Sequence, residues 1–274
     1  MAENKKNHKT WKWKLTALLL VAAINVSVFA FVSQSSEVKK LSDGWVMLGA
    51  GNPVPWDTNQ ILSQDTWYYV VNGEPSRNRL VNIAGKTYGF DSDGHMVRGL
   101  CAAIKTAVGG FIEFKAQDIN SESDLNEYCR FNAGYIMYCF SKEEGSLGVM
   151  LTGEQELPID GRKMKFYFID HLENYGVGLN GKHGNSFYVN GRRITAKEEA
   201  GTYQLFRVVG NRYAYGDAEV IREGAVYPLT DYVLIDKGGE IVTGGRKNDG
   251  NGTRYIYHEK TSAYPRGYWT AEHV

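Results

Sequence analysis

Short alternations of apolar and polar residues, broken by glycine turns, run through most of this 274-residue chain. Residues 85–99 show the pattern most clearly, because apolar positions flank the pair Asp93-Gly94 on both sides. Asp-Gly and Asn-Gly pairs favour the positive φ angles of tight hairpin turns. A second copy of the pattern spans residues 232–244, and Asn-Gly pairs occur at 72–73 and 190–191. The pattern predicts strands that pair locally as β-hairpins.

A short hairpin cannot bury its apolar face alone, so repeated hairpins have to stack on one another. Anchor positions recur in steps of 20 to 25 residues at Phe168, Tyr188, Tyr213, Leu234 and Tyr255. We therefore predict a mainly β fold, a solenoid-like array of degenerate β-hairpin repeats. A short helical insertion is expected at residues 121–127, where Ser121 is placed to cap the first turn.

Changes in composition divide the chain into five segments. Residues 1–32 are predicted to form a signal peptide or membrane anchor, and residues 33–43 a polar linker. Aromatic hairpin repeats fill 44–100, a mixed insertion fills 101–134, and degenerate β-hairpin repeats fill 135–274.

The N-terminal segment combines a lysine-rich start with an apolar run over residues 15–32, whose second half is weakened as a membrane span by Asn25 and Ser27. The length of this run lies between that of a signal-peptide core and that of a membrane-spanning helix. Val28-Phe29-Ala30 offers a small-residue cleavage site, whereas an uncleaved helix would anchor the chain in the plasma membrane. Both alternatives place the body outside the cell, at the cell surface or in the cell wall.

The charges and cysteines narrow the class of protein further. The chain has 31 basic and 31 acidic residues, but five of the lysines lie within the first 14 residues. The body therefore lacks the basic field that nucleic acid binding requires.

Three cysteines, Cys101, Cys129 and Cys139, exclude a full disulfide framework. One bond, such as Cys129–Cys139, and three buried thiols are the alternatives left open.

Three features suggest cofactor or metal chemistry, and each has a simpler interpretation. Residues 176–181 match G-x-G-x-x-G, but a turn and a strand follow where a nucleotide site needs a helix. The sequence Asp91-Ser92-Asp93-Gly94 begins like a calcium loop, yet the closing glutamate is missing and a hairpin turn explains it. The six histidines show no metal-ligand spacing. We expect no catalytic residue, no metal and no cofactor.

The aromatic pattern resembles a known family. Gly44-Trp45, Trp67-Tyr68-Tyr69 and the run from Tyr88 to Gly99 are similar to the cell-wall-binding repeats of Gram-positive bacteria, of the choline-binding and glucan-binding type. The match is close over residues 65–99 and loose at 165–178, 186–191 and 232–244. The resemblance implies a β-hairpin solenoid in which non-catalytic binding occurs between successive hairpins.

The resemblance also implies where a ligand would bind. The choline site of the family is an aromatic cage, since ring faces attract a quaternary ammonium. In this chain Trp45, Trp67 and Tyr69 could fill its positions, but Leu100 and Gly244-Gly245 stand where further tryptophans are expected. Choline is therefore a weak candidate, and stacking on sugar faces or simple packing between hairpins comes ahead of it. The predicted ligand-binding residues are Trp45, Trp67, Tyr69, Tyr88 and Phe90.

These observations favour a non-catalytic exported surface protein that binds a cell-wall polymer or another glycan. One alternative is an exported hydrolase that carries accessory binding repeats, although the sequence shows no convergent catalytic residues. Another is a structural or protein-interaction domain outside the cell. The N-terminal segment would contact the membrane only if it is uncleaved.

Overall fold

The computed structural model describes residues 41–106, 111–130, 133–197, 201–209, 212–213 and 221–274. The predicted signal or anchor segment, residues 1–32, lies outside these ranges. Within them, no helix is long and apolar enough to cross a membrane.

The described chain is mainly β, as predicted, and consists of small antiparallel sheets formed by neighbouring strands. The first strands are β1 (Gly44–Leu48), β2 (Pro53–Val54), β3 (Asp57–Ile61), β4 (Thr66–Val71), β5 (Glu74–Pro75), β6 (Arg79–Ile83) and β7 (Lys86–Phe90). The middle strands are β8 (Gly99–Lys105), β9 (Ile112–Ala116), β10 (Ile136–Phe140), β11 (Gly153–Ile159), β12 (Arg162–Phe168), β13 (Gly181–His183), β14 (Ser186–Val189) and β15 (Arg192–Arg193). The last strands are β16 (Tyr203–Val209), β17 (Arg212–Tyr213), β18 (Val226–Pro228), β19 (Tyr232–Asp236), β20 (Ile241–Val242), β21 (Arg246–Asn248), β22 (Thr253–His258) and β23 (Tyr268–His273).

Turn chemistry sets the hairpins. Asn72-Gly73 joins β4 to β5 and Asn190-Gly191 joins β14 to β15, and all four residues have positive φ. The 232–244 copy forms the hairpin of β19 and β20, in which Leu234 pairs with Val242. The 85–99 copy differs from the prediction. Strand β7 pairs with β6, and the turn at 91–94 is followed only by an isolated bridge from Phe90 to Met96.

Successive turns stack on one another through a glycine and the residue two positions after it. A Cβ at Gly94 would lie against Pro75, one at Gly148 would overlap Met96, and one at Gly176 would overlap Met150. Each contacted residue itself lies two positions after the glycine of the preceding turn. The contacts continue from Gly191 to Gly178 and from Gly239 to Arg193. We call this series the turn ladder, and it is the axis of the predicted repeat array.

The mixed insertion is joined to the repeat that follows it. Strand β8 pairs with β9 on one side and with β10 on the other. The single α-helix of the described chain, α1 (Glu122–Tyr128), begins where the sequence predicts it, because the Ser121 side chain accepts a hydrogen bond from the Asp124 amide at 3.1 Å. Its residue Leu125 is buried in the same cluster as Phe166 and Phe168. Two short 3-10 helices lie at Glu144–Ser146 and Leu172–Asn174.

The three cysteines are free thiols buried in this region. Cys129 and Cys139 pack with Leu125 and Phe168, while Cys101 packs with Phe140 in a neighbouring cluster. Burial raises the pKa of the Cys129 and Cys139 thiols to about 12. Of the two alternatives left by the sequence, the structure has the buried thiols.

Candidate functional site

The sheet of β1, β4 and β5 has one buried and one exposed face, because side chains alternate along each strand. On β4, Thr66, Tyr68 and Val70 point inward and are buried, while Trp67 and Tyr69 lie on the other face. On β1, Trp45 lies opposite Tyr69 and Met47 lies opposite Trp67. We call the outward side of this sheet the aromatic face.

The structure brings all five predicted binding residues together around Trp45. Its ring centroid lies 4.8 Å from that of Tyr88, 5.3 Å from that of Tyr69 and 6.1 Å from that of Trp67. The Phe90 centroid lies 6.0 Å from that of Trp45. The hairpin of β6 and β7 therefore packs its rings against the aromatic face of the preceding sheet, as stacking of hairpins requires.

The five rings differ in exposure, and this separates their roles. Trp45 and Trp67 are 38% and 36% exposed, whereas Tyr69 and Tyr88 are half-buried. Phe90 is fully buried and supports Trp45 and Tyr69 from below. The planes of Trp45 and Trp67 make an angle of 86°, so the two indoles form adjacent walls at nearly a right angle.

Two apolar residues that were not among the predicted site residues extend this face. Met47 is 49% exposed beside Trp67, and Val71 is 45% exposed at the end of β4. The alternation Trp45-Val46-Met47 predicts that Met47 lies on the same face of the strand as Trp45. Its position beside Trp67 depends on the register of β1 against β4, which the sequence does not show. Clustered exposed apolar side chains on a soluble domain commonly mark a binding surface.

The turn after β7 lies next to this face and is internally bonded. Asp91 Oδ1 accepts hydrogen bonds from the Asp93 amide at 3.0 Å and the His95 amide at 2.8 Å. The second oxygen of Asp91 lies 3.5 Å from His95 Nδ1. A hydrogen bond to Asp91 is the main reason that the pKa of His95 is raised, with the charges of Asp91 and Asp93 adding to it.

The groups of Asp91, Asp93 and His95 that could bind a metal lie within 4.8 Å of one another. The hydrogen bonds to Asp91 close residues 91–95 into a turn, as the Asp-Gly pair predicts. Residues 176–181 likewise start no helix, since Gly181 opens strand β13.

No family model and no curated protein matches this chain. Among solved structures, it is similar to choline binding protein F from Streptococcus pneumoniae, with 18% identity, 84% of this chain and 87% of that chain covered, and a TM-score of 0.33. The same protein in the presence of a peptidoglycan analogue, a tetrasaccharide-pentapeptide, matches with 17% identity over the same shares and a TM-score of 0.31. CbpJ from Streptococcus pneumoniae TIGR4 matches with 18% identity, 83% of this chain and 94% of that chain covered, and a TM-score of 0.18.

Proposed function

We propose that this chain is a non-catalytic surface protein that binds a cell-wall polymer or another glycan through its aromatic face. The observation that carries the proposal is the pair of exposed indoles, Trp45 and Trp67, held at nearly a right angle by Tyr69, Tyr88 and Phe90. Flat, exposed rings on a rigid sheet are suited to stack on apolar faces of sugars, and they pay little conformational entropy on binding.

The sequence resemblance to Gram-positive cell-wall-binding repeats points to the same class of ligand. We infer that the protein acts outside the cell, with export or anchoring by residues 1–32. The two nearly perpendicular indoles of Trp45 and Trp67 would contact a ligand on two sides, whereas an aromatic cage surrounds it. Choline, if it binds, would be held by fewer ring contacts than in a complete cage, each contributing about 0.5–2 kcal/mol. A glycan that stacks on the exposed rings is therefore the preferred ligand.

Co-sedimentation of the purified chain with Gram-positive cell walls tests the proposal. Pelleting should be reversed by a competing ligand, either soluble wall glycan or choline, and the effective competitor identifies the ligand class. Trp67→Ala should weaken binding about 5- to 30-fold, which corresponds to the loss of roughly 1–2 kcal/mol of ring contacts.

Tyr175→Ala is the matched control, because Tyr175 is 49% exposed and lies outside the aromatic face. It should pellet like the unaltered chain, and circular dichroism should show that both variants remain folded. Equal binding of Trp67→Ala and Tyr175→Ala would contradict a role for the aromatic face. Absence of pelleting by the unaltered chain would leave the hairpins as a scaffold and direct the search to protein partners.

A further inference from the structure

A small, shallow polar cleft, open to solvent, lies where strand β4 begins. One wall comes from the start of β4 and the other from the turn after β7. Trp67 borders both this cleft and the aromatic face. The side chains that give the cleft its character are those of Gln64, Asp65, Trp67, His95, Arg98 and Gln117.

Backbone hydrogen bonds hold the two walls together. The Met96 amide donates to the Trp67 carbonyl at 2.8 Å, which ties the turn after β7 to β4. The Asp118 amide donates to the Arg98 carbonyl at 3.3 Å, which places Gln117 beside Arg98. Asp65 accepts a bond from the Ala50 amide at 2.9 Å and is oriented by it. The cleft is thus formed by the fold itself, before any ligand arrives.

The polar groups in the cleft include both donors and acceptors. Among the residues that the structure describes, the Arg98 guanidinium forms no salt bridge, and His95 Nε2 is buried with no hydrogen-bond partner. Asp65 contributes a carboxylate, and Gln64 and Gln117 contribute amides that donate and accept. Asp65 and Arg98 carry opposite charges, so the cleft does not present charges of a single sign to an ion.

A mixture of donors and acceptors beside an indole matches one ligand chemistry in particular. Each sugar hydroxyl both donates and accepts a hydrogen bond, and pyranose rings carry apolar C–H faces that pack against aromatic rings. We infer that this cleft is a binding subsite for one pyranose residue of an uncharged glycan, with the ring packed against Trp67. This inference rests on the proposed function and adds the class of sugar and its place on the chain.

Titration with uncharged tetrasaccharides tests the inference. The whole 274-residue chain would be titrated with chitotetraose, cellotetraose and maltotetraose, and binding followed by calorimetry and tryptophan fluorescence. At least one tetrasaccharide should bind. Arg98→Ala should then lower its affinity about 10-fold or more, because a hydrogen bond from a charged group is lost. Gln117→Ala should lower it about 2- to 10-fold, as expected for a neutral hydrogen bond.

Arg266→Ala is the matched control, because Arg266 is exposed and does not line the cleft. It should bind the tetrasaccharide like the unaltered chain. The inference is overturned if none of the three tetrasaccharides binds, or if both Arg98→Ala and Gln117→Ala bind as tightly as Arg266→Ala. It is also overturned if inorganic phosphate displaces the sugar competitively, since the cleft would then be an anion site.

The same variants separate this inference from the proposed function. In one outcome, Arg98→Ala still pellets with cell walls, Trp67→Ala does not, and no tetrasaccharide binds to the chain. The aromatic face then binds the wall, and the cleft is not a sugar subsite. If tetrasaccharides bind through Arg98 but the chain does not pellet, the sugar subsite stands and wall binding falls.

Discussion

His95 connects the turn after β7 to the polar cleft, and its charge is set by the turn. Asp91 raises the pKa of His95 from its usual 6.5, mainly by a hydrogen bond and also by its charge, and Asp93 adds to this. Partial burial and the charge of Arg77 act in the opposite direction. The protonated imidazole is therefore more stable in the folded chain than in the unfolded chain.

This linkage gives a pH dependence with a defined sign. A raised folded pKa contributes stability that is fully present below about pH 6.5 and is lost as pH rises through the folded value. His95→Asn should remove it, so the free energy of unfolding lost in this variant should be larger at pH 5.5 than at pH 8. Urea unfolding across this range measures the difference. The exposed His273→Asn is the control, and a loss for His95→Asn that is constant with pH would contradict the linkage.

The positions of the candidate site residues were predictable to different degrees. Trp45, Trp67, Tyr69 and Tyr88 stand out because they alternate with inward-facing positions on local strands, and the structure indeed clusters them. The cleft was not predicted. Asp65, Arg98 and Gln117 become neighbours only through bonds between separate segments, such as that from Met96 to Trp67. No local pattern records such a contact.

At the scale of elements, the turn ladder explains why particular glycines are needed. Gly148 has a φ of +73°, and a Cβ there would overlap the Met96 side chain of the preceding turn. Gly161 has nearly the same φ, +72°, but a Cβ there would meet nothing within 4 Å. The two glycines have nearly the same φ and differ in what lies beside them.

This pair isolates the contribution of ladder packing. Gly161→Ala should cost about 1–2 kcal/mol, the penalty of a left-handed backbone for an L-residue. Gly148→Ala should cost a further 1–3 kcal/mol or so for crowding against Met96. Chemical denaturation measures both, and adding Met96→Ala to Gly148→Ala should reduce the crowding penalty. Equal costs for the two glycine variants would show that the ladder contact does not constrain the fold.

Element prediction succeeded where the signal is local and failed where pairing is not. Asn72-Gly73 and Asn190-Gly191 form hairpin turns, and Ser121 caps α1, because each signal lies within a few residues. The Asp93-Gly94 turn was correctly placed, but its partner strand was not. Strand β7 pairs backward with β6 through the turn at Ala84-Gly85, where both residues have positive φ. Alanine rarely adopts positive φ, so its presence at residue 84 does not predict such a turn.

At the scale of the whole molecule, the repeats share a backbone plan but differ in their exposed surface. Among the tryptophans of the described ranges, Trp269 is fully buried and Trp56 is half-buried, so the well-exposed indoles Trp45 and Trp67 lie on a single sheet. Two positions after the turn glycine, later turns of the ladder carry Gly178, Arg193 and Ile241. Within the described ranges, the array therefore presents one sheet with exposed tryptophans.

A single aromatic face predicts monovalent binding. Calorimetry with the ligand that releases the chain from cell walls should give about one ligand per chain, with no cooperativity. Because a second binding event would then need a second copy, a tandem dimer should be retained on walls far more strongly, by up to about 10²- to 10⁴-fold if both faces engage together.

A tandem dimer in which one copy carries Trp67→Ala should lose most of this gain. A stoichiometry of two or more for the single chain, or a gain that survives Trp67→Ala in one copy, would mean that other hairpins bind as well. The ligand would then be held along the array and not at one sheet.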